Sequence, residues 1–317
     1  ELGELLDTEI IDFDETPLAT ASIGQVHRAY LADGTDVVIK VQRPNIEAMM
    51  LCDLDVLEGL AVLAEKVEGL SAFSPQKLVQ QMAPMVRREL DFGRERQNLH
   101  VFASLLSNID GIEIPRPIDS LCTRRVIVMT RLTGQDLSRS QAVQQLSCDE
   151  RVKAARLITT VYMQMLFTHG LFHADPHPGN LVMLASGGVG ILDFGMIGRI
   201  DTRLREQIEE MLMAIGNGDS SRLTQLVRRA GNAPPTLDEA ALSVDVSEFI
   251  ATYGHQDLGS FDLTGALNDL GEVLHRHGIK LPTQSAMLMK MMISLEGTLS
   301  ALSADFDALE VMAGFIR

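Results

Sequence analysis

Between Leu171 and Gly195 the chain reads LFHADPHPGNLVMLASGGVGILDFG, and within it a carboxylate, Asp175, precedes an amide, Asn180, by five positions. A second carboxylate, Asp193, ends the apolar run Val189 to Leu192 and opens the triplet Asp193-Phe194-Gly195. Phosphoryl transfer asks a protein mainly for positioning and charge neutralisation. Asp175 is of the type that orients, or deprotonates, an attacking hydroxyl or water. Asn180 and Asp193 are hard oxygen ligands of the kind that hold Mg2+ against nucleotide phosphates. ATP and Mg2+ are therefore the expected cofactors. A rival is a zinc site, because Pro176 and Pro178 favour an extended backbone that would turn His173, Asp175 and His177 to one side. That reading leaves Asn180 and Asp193 idle, and zinc is not expected to be required.

These residues need elements to hold them. Leu181–Leu184, a Ser186-Gly187-Gly188 turn and Val189–Leu192 form the pattern of a β-hairpin joining the two clusters. Ahead of them, Ser147 or Asp149 caps a helix with the stripe Val152, Ala155, Ile158, Tyr162, Met165 and His169. After Gly195, Asp201 caps another, with Leu204, Ile208, Met211 and Ile215 inward. Loop and triplet together are similar to the protein-kinase pattern H-R-D-x-x-x-x-N followed by D-F-G.

The start of the chain supplies a lysine. Ile10–Phe13, a strand ending at Leu31, a turn at Asp33-Gly34 and a returning strand Val37–Val41 predict a three-stranded beginning. Lys40 lies between Ile39 and Val41 in a strand apolar on both faces, which predicts a buried, paired lysine. Helices are predicted over Ile46–Val67, with Ile46, Met50, Leu54, Leu57, Ala61 and Ala64 inward, and from Pro75 onward with Ser74 as cap. The second helix has the stripe Leu78, Met82, Met85, Glu89 and Phe92. Glu89, a carboxylate at an apolar position, is the expected partner of Lys40, the alternative being that it lies at the stripe's edge in solvent. Ile112–Ile118 and Arg125–Leu132 read as strands, and Thr133-Gly134 as a break. Residues 219–317 are helical patterns. Met287, Met289, Met291 and Met292 are expected core positions, with a lipid groove as the alternative.

With 317 residues the chain can bury a large core. Its net charge of −16 argues against nucleic acid and against simple electrostatic docking on anionic lipid. Three cysteines without paired or metal-ligand spacing predict a reducing, cytoplasmic compartment. No apolar run reaches the ~18–20 residues of a membrane span. The chain opens at Glu1 without Met or a targeting segment, so it is expected to be part of a longer polypeptide.

Five motifs in order, PLATASIGQVHRA, VVIKVQRP, ELDFGRERQNL, HADPHPGN and ILDFGMIGR, closely resemble the UbiB (AarF, ADCK) group of atypical kinases, and the tail LEGTLSALSADFD fits it too. The resemblance implies an α+β, protein-kinase-like two-lobed fold. Its small β-rich N-lobe, with inserted helices, would take residues 1–132, and a helical C-lobe residues 133–317. It implies that an alanine-rich loop, here Ala19, Thr20, Ala21 and Ser22, covers the nucleotide, with Thr20 departing from the usual alanine. It maps the Lys–Glu pair onto Lys40 and Glu89, the latter in an E-x-D motif with Asp91, the catalytic Asp onto Asp175, and the metal ligands onto Asn180 and Asp193. The family's N-terminal K-x-G-Q motif does not occur here, and membrane segments that many members carry outside the kinase core are likewise missing.

The implied function is that of a Mg-ATP-dependent atypical kinase or ATPase supporting ubiquinone or other isoprenoid-lipid metabolism, with a lipid-like or small-molecule acceptor. Membrane association would come through parts outside this stretch. Two alternatives stay open: a small-molecule phosphotransferase of the aminoglycoside or choline type, and a nucleotide-binding regulatory module without turnover. A conventional protein kinase is not expected. Ala174 stands where such kinases carry Arg, no A-P-E motif follows Gly195, and Asp201 already caps a new helix.

Overall fold

Strands come first because the early sequence is β-branched and alternating, and helices dominate once the 3.6-residue period takes over. The computed structural model describes all residues except 1, 2, 4–7, 68, 71–73, 255, 257–260, 305, 316 and 317. In chain order the strands are β1 (Ile10–Phe13), β2 (Ala19–Thr20), β3 (Gly24–Leu31), β4 (Asp36–Gln42), β5 (Ile112–Glu113), β6 (Val126–Thr130), β7 (Gly134–Asp136), β8 (Leu171–His173), β9 (Leu181–Leu184), β10 (Val189–Ile191) and β11 (Ile197–Arg199). The α-helices are α1 (Ile46–Ala64), α2 (Pro75–Glu89), α3 (Phe92–Leu105), α4 (Ser140–Gln145), α5 (Cys148–Met163), α6 (Thr202–Gly216), α7 (Ser220–Ala230), α8 (Glu239–Tyr253), α9 (Leu263–Arg276), α10 (Thr283–Leu302) and α11 (Ala308–Ala313). The architecture is α+β. It divides into a unit of residues 1–105, 114–132 and 193–195, and a unit of residues 106–113, 133–192 and 196–317.

The first unit is an antiparallel sheet in the order β1-β3-β4-β6, with β2 added to β3. Gly34, at φ 85°, closes the β3–β4 turn, where its N–H donates to the Leu31 carbonyl. The register sets Val26 opposite Lys40 and Lys40 opposite Ile127. Ala29, Val37, Ile39 and Val128 fill the core on one face, each worth up to about 1.5–3 kcal/mol for the larger side chains.

The helices of this unit depart from expectation in four ways. Pro75 does open α2, but Ser74 sits at φ 49° and its side chain makes no capping bond. The inward residues of α2 are Val79 and Ala83, while Leu78, Met82 and Met85 are exposed. Two parallel apolar rows run along this helix one residue apart, and the row ending at buried Leu90 is the one that packs. The helix also stops at Glu89 instead of running through Phe92. Asp91 accepts from the Gly93 N–H, the Phe92 N–H donates to the Arg124 carbonyl, and the chain restarts as α3. Ile46, Leu54 and Ala61 of α1 are buried as the period predicts, whereas Leu57 is exposed.

The second unit carries a sheet in the order β5-β10-β9-β7 and a separate β8–β11 ladder. The β9–β10 hairpin follows the predicted one, with Val189 opposite Met183 and Gly187 at φ 85° in its turn. Ile112–Ile118 forms a strand only over its first two residues. Ser147 caps α5 in a reciprocal capping box with Glu150. That helix buries Ala155, Ile158 and Tyr162, then loosens into a π-helical turn over Gln164–His169 just ahead of β8. Asp201 caps α6 through the Leu204 N–H. Helices α6 to α9 bury a core that includes Leu223, Leu226, Leu242, Phe249 and Leu274.

Candidate active site

In the first unit the chemistry converges on Lys40, which β4 carries into the interior. Its Nζ donates to Glu95 Oε1 at 2.8 Å and Oε2 at 2.9 Å, and to Asp193 Oδ2 at 3.2 Å. The side chains of Lys40 and Glu95 are 12% and 4% exposed, and that of Asp193 46%. Burial alone would push the Lys40 ammonium down. The Glu95 and Asp193 carboxylates outweigh it and hold the group above its ordinary value, so it stays charged. Burial pushes the Glu95 carboxyl up to about 7, against the pull of Lys40 and with the Asp193 charge adding to the rise.

The expected Lys40–Glu89 pair is therefore corrected: the partner is Glu95. Glu89 is the exposed last residue of α2, and the break at Leu90–Asp91 puts a different carboxylate in line. The signal was present in the sequence. Phe92, Glu95, Leu99 and Phe102 form the buried stripe of α3, with a carboxylate in its second place. The same helix holds the triplet, because Asn98 Nδ2 donates to the Phe194 carbonyl at 2.7 Å and the Phe102 and Phe194 rings lie 4.7 Å apart. Asn98 and Glu95 are the residues that sequence reasoning missed.

Asp193 is one of three non-glycine residues at positive φ among those described, at 46°. Strain of this kind persists where surrounding contacts over-determine it. Buried Phe194, the Gly195 N–H donated to Asp193 Oδ1 and the Lys40 bond supply those contacts. Ala19, Thr20, Ala21 and Ser22 are all exposed. Ala19 and Thr20 pair with Val26 and Gln25, the Ala21 N–H donates to the Gly24 carbonyl, and Arg43 Nη2 donates to the Ala21 carbonyl. A Cβ on Gly24 would lie 2.6 Å from the Val41 carbonyl oxygen, so the turn needs glycine there.

In the second unit the loop after β8 is organised by neutral groups. Asn180 Nδ2 donates to the Asp175 carbonyl at 3.0 Å, and the Asn180 N–H to the His177 carbonyl at 2.8 Å. His177 Nδ1 accepts from the Gly179 N–H at 3.1 Å, which gives that residue a local structural role. His173 is buried, and its Nδ1 is hydrogen-bonded to the Tyr162 hydroxyl at 2.7 Å. Burial, with a smaller contribution from the Asp175 charge, raises the Tyr162 phenol well above its ordinary value and keeps it protonated.

Comparison with known proteins gives a consistent result. The ABC1 atypical kinase-like domain model matches residues 1–227, and the UbiB helical domain model matches residues 246–307. An uncharacterized protein of Mycobacterium tuberculosis, Rv0647c, is 32% identical over 307 residues, covering 93% of this chain and 61% of that protein. A probable protein kinase UbiB of Xylella fastidiosa is 29% identical over 313 residues, 96% of this chain and 56% of its own length. The chain thus spans little more than half of these relatives. The solved structure of Rv3197 with erythromycin, from Mycobacterium tuberculosis, superposes with a TM-score of 0.75 over 100% of this chain and 81% of that one, at 22% identity. That likeness is one of fold.

Proposed function

The chain belongs to the ABC1 atypical kinase-like family, and on that premise we propose that it binds Mg-ATP and either hydrolyses it or transfers its terminal phosphate to a small, lipid-like acceptor. The observation that carries the reading is the buried lysine held by two carboxylates, Glu95 and Asp193. Packing alone does not favour such an arrangement, since an apolar trio of similar volume is often as stable or more so. A fixed cation is what nucleotide phosphates require.

The residues fit the cofactor. Asp193 accepts from the Gly195 N–H and the Lys40 ammonium, and its carboxylate is a hard oxygen ligand of the kind that Mg2+ takes. Asn180 commits its Nδ2 to the Asp175 carbonyl, leaving its side-chain oxygen as an acceptor. Among the described residues no three His, Cys, Asp or Glu side chains are grouped to hold a metal ion. Phosphate oxygens and water would complete the shell, as Mg2+ prefers. Lys40 would hold the α- and β-phosphates, the exposed Ala19–Ser22 turn would cover them, and Asp175 would orient the acceptor hydroxyl or water. Mg-ATP, when bound, supplies the phosphoryl group. The lobes assigned to residues 1–132 and 133–317 remain part of this proposal.

A role in ubiquinone or other isoprenoid-lipid metabolism, with peripheral membrane contact, belongs to the same reading. Among the described residues no helix is long and apolar enough to cross a membrane. The apolar side chains that α1 and α2 leave exposed, Leu60, Leu63 and Met82 among them, support contact with lipid. The test is transfer of radiolabelled phosphate by the full-length protein, with protein substrates and isoprenoid-like phenols offered in parallel. Asp175-dependent ADP release, stimulated by or accompanied by transfer to the small molecules, is expected. Efficient phosphorylation of a protein in trans, with no response to the phenols, would overturn the choice of acceptor.

A further inference from the structure

The sequence LEGTLSALSADFD accompanies the site motifs but has no part in the chemistry above. Its first eight residues, 295–302, form the end of α10, inside the stretch that matches the UbiB helical domain model. Most of the helix's inward positions are apolar: Met291, Leu295, Leu299 and Leu302 are buried. Thr298 is the exception. It is buried too, and its hydroxyl lies 2.7 Å from the Pro176 carbonyl oxygen and 2.8 Å from the Ser294 carbonyl of its own helix.

Pro176 is the residue that follows Asp175, and the loop there is short of ways to hold itself. Pro176 and Pro178 have no N–H to donate. The Asp175 and His177 carbonyls are both taken by Asn180, from within the loop. The Pro176 carbonyl is instead taken by a helix 122 residues further along the chain. The same helix reaches the segment after the triplet, where Gln284 Oε1 accepts from the Arg199 N–H at 2.9 Å. Arg199 belongs to β11, which pairs with β8 immediately before the loop. Gln284 and Thr298 are about 21 Å apart along the helix axis at 1.5 Å per residue. One rigid helix thus fixes both the ladder and the loop.

We propose that Thr298 is a positioning residue for Asp175: its hydroxyl ties the Pro176 carbonyl to α10, so the helical region sets turnover while leaving nucleotide affinity alone. The proposal rests on the reading of Asp175 as the acceptor-orienting group. A single hydroxyl proton serves two carbonyls, Pro176 and Ser294. Movement of α10, for instance on contact of its half-buried methionines with a ligand, would therefore be felt directly at the loop. Catalysis tolerates little misplacement of a group that must align with the reacting atoms.

The test compares Thr298→Val, which keeps the shape and removes the hydroxyl, with Thr298→Ser, which keeps the hydroxyl. Both are made in the full-length protein beside wild type and Asp175→Asn. Steady-state ADP release should show kcat lowered about fivefold or more in Thr298→Val, KM for Mg-ATP within about twofold of wild type, and Thr298→Ser close to wild type. Hydrogen–deuterium exchange of the segment 173–180 should be faster in Thr298→Val only. Should the valine variant not fold, Thr298→Ala serves the same comparison. An unchanged kcat in Thr298→Val, or equal losses in the valine and serine variants, would overturn the proposal, the second outcome marking a packing role. A wild-type protein without Asp175-dependent turnover would instead sink the reading of Asp175 and the positioning role with it. The exchange data would then still decide whether Thr298 holds the loop.

Discussion

The two groups of residues that the proposed chemistry needs are held by opposite means. Around Lys40 the forces are ionic: one ammonium, two carboxylates, and burial severe enough to raise the Glu95 carboxyl to about 7. Around Asp175 they are hydrogen bonds: an amide on a carbonyl, a phenol on an imidazole nitrogen, a threonine hydroxyl on the Pro176 carbonyl. A buried cation that is to meet phosphates must be charged before they arrive, and only counter-charges can keep it so in a low-dielectric interior. A loop that presents one carboxylate to an acceptor needs a fixed backbone and no competing charge beside it. Neutral hydrogen bonds to carbonyls provide that.

The difference can be pressed hardest at Lys40. Lys40→Met leaves Glu95 buried without its ammonium and should destabilise the first unit by about 3–5 kcal/mol, read by urea denaturation. Adding Glu95→Leu should recover most of that loss while nucleotide binding stays abolished, if the pair serves the proposed function and not the fold. A double variant as unstable as the single one would show the centre to be structural. Asp193→Asn should cost about 1–3 kcal/mol of Mg-dependent nucleotide affinity by calorimetry, since it removes a charged ligand. Unchanged metal-assisted affinity would refute its role.

The neutral side should respond less strongly and to different changes. Tyr162→Phe takes the hydroxyl from His173 Nδ1 and should lower the stability of the second unit by about 1–2 kcal/mol. The pH dependence of stability sharpens the contrast. The Glu95 carboxyl lies at about 7 in the folded protein against 4.5 ordinarily. A raised group of this kind contributes stability that is fully present below 4.5 and is lost as pH rises through about 7. Glu95→Gln should therefore flatten the fall in first-unit stability between pH 4.5 and 7.5, whereas Tyr162→Phe should leave that slope as it is. Equal slopes in wild type and Glu95→Gln would break the distinction between the two regions.

What the sequence made legible follows the same division. The hairpin from Leu181 to Leu192 and the loop motif could be read because their spacing is local and their turn residues are diagnostic. The burial of Lys40 could be read from its apolar neighbours in β4. Its partner could not be read from α2. Two apolar rows compete on that helix, and the row with Leu78, Met82 and Met85 faces outward once α2 ends at Glu89. The row that mattered, Phe92 to Phe102 with Glu95 inside it, becomes evident only when the helix is allowed to break at Leu90–Asp91. Ser74 failed as a cap because its backbone turned left-handed. The bonds of Tyr162 and Thr298 were beyond reach for a different reason. They reach across 11 and 122 residues, outside the repeat of any one helix or strand, and no local pattern assigns a buried hydroxyl to such a carbonyl or imidazole.

One measurement bears most directly on the central claim, that this pair of centres serves Mg-ATP chemistry. The full-length protein and its Asp175→Asn variant are compared for Mg-ATP binding by calorimetry and for ADP release in the same buffer. The two proteins should bind with equal affinity, wild type should release ADP in a Mg2+-dependent manner, and the variant should lose that release. Release that persists undiminished in Asp175→Asn, or wild-type protein that binds no Mg-ATP at all, would contradict the claim.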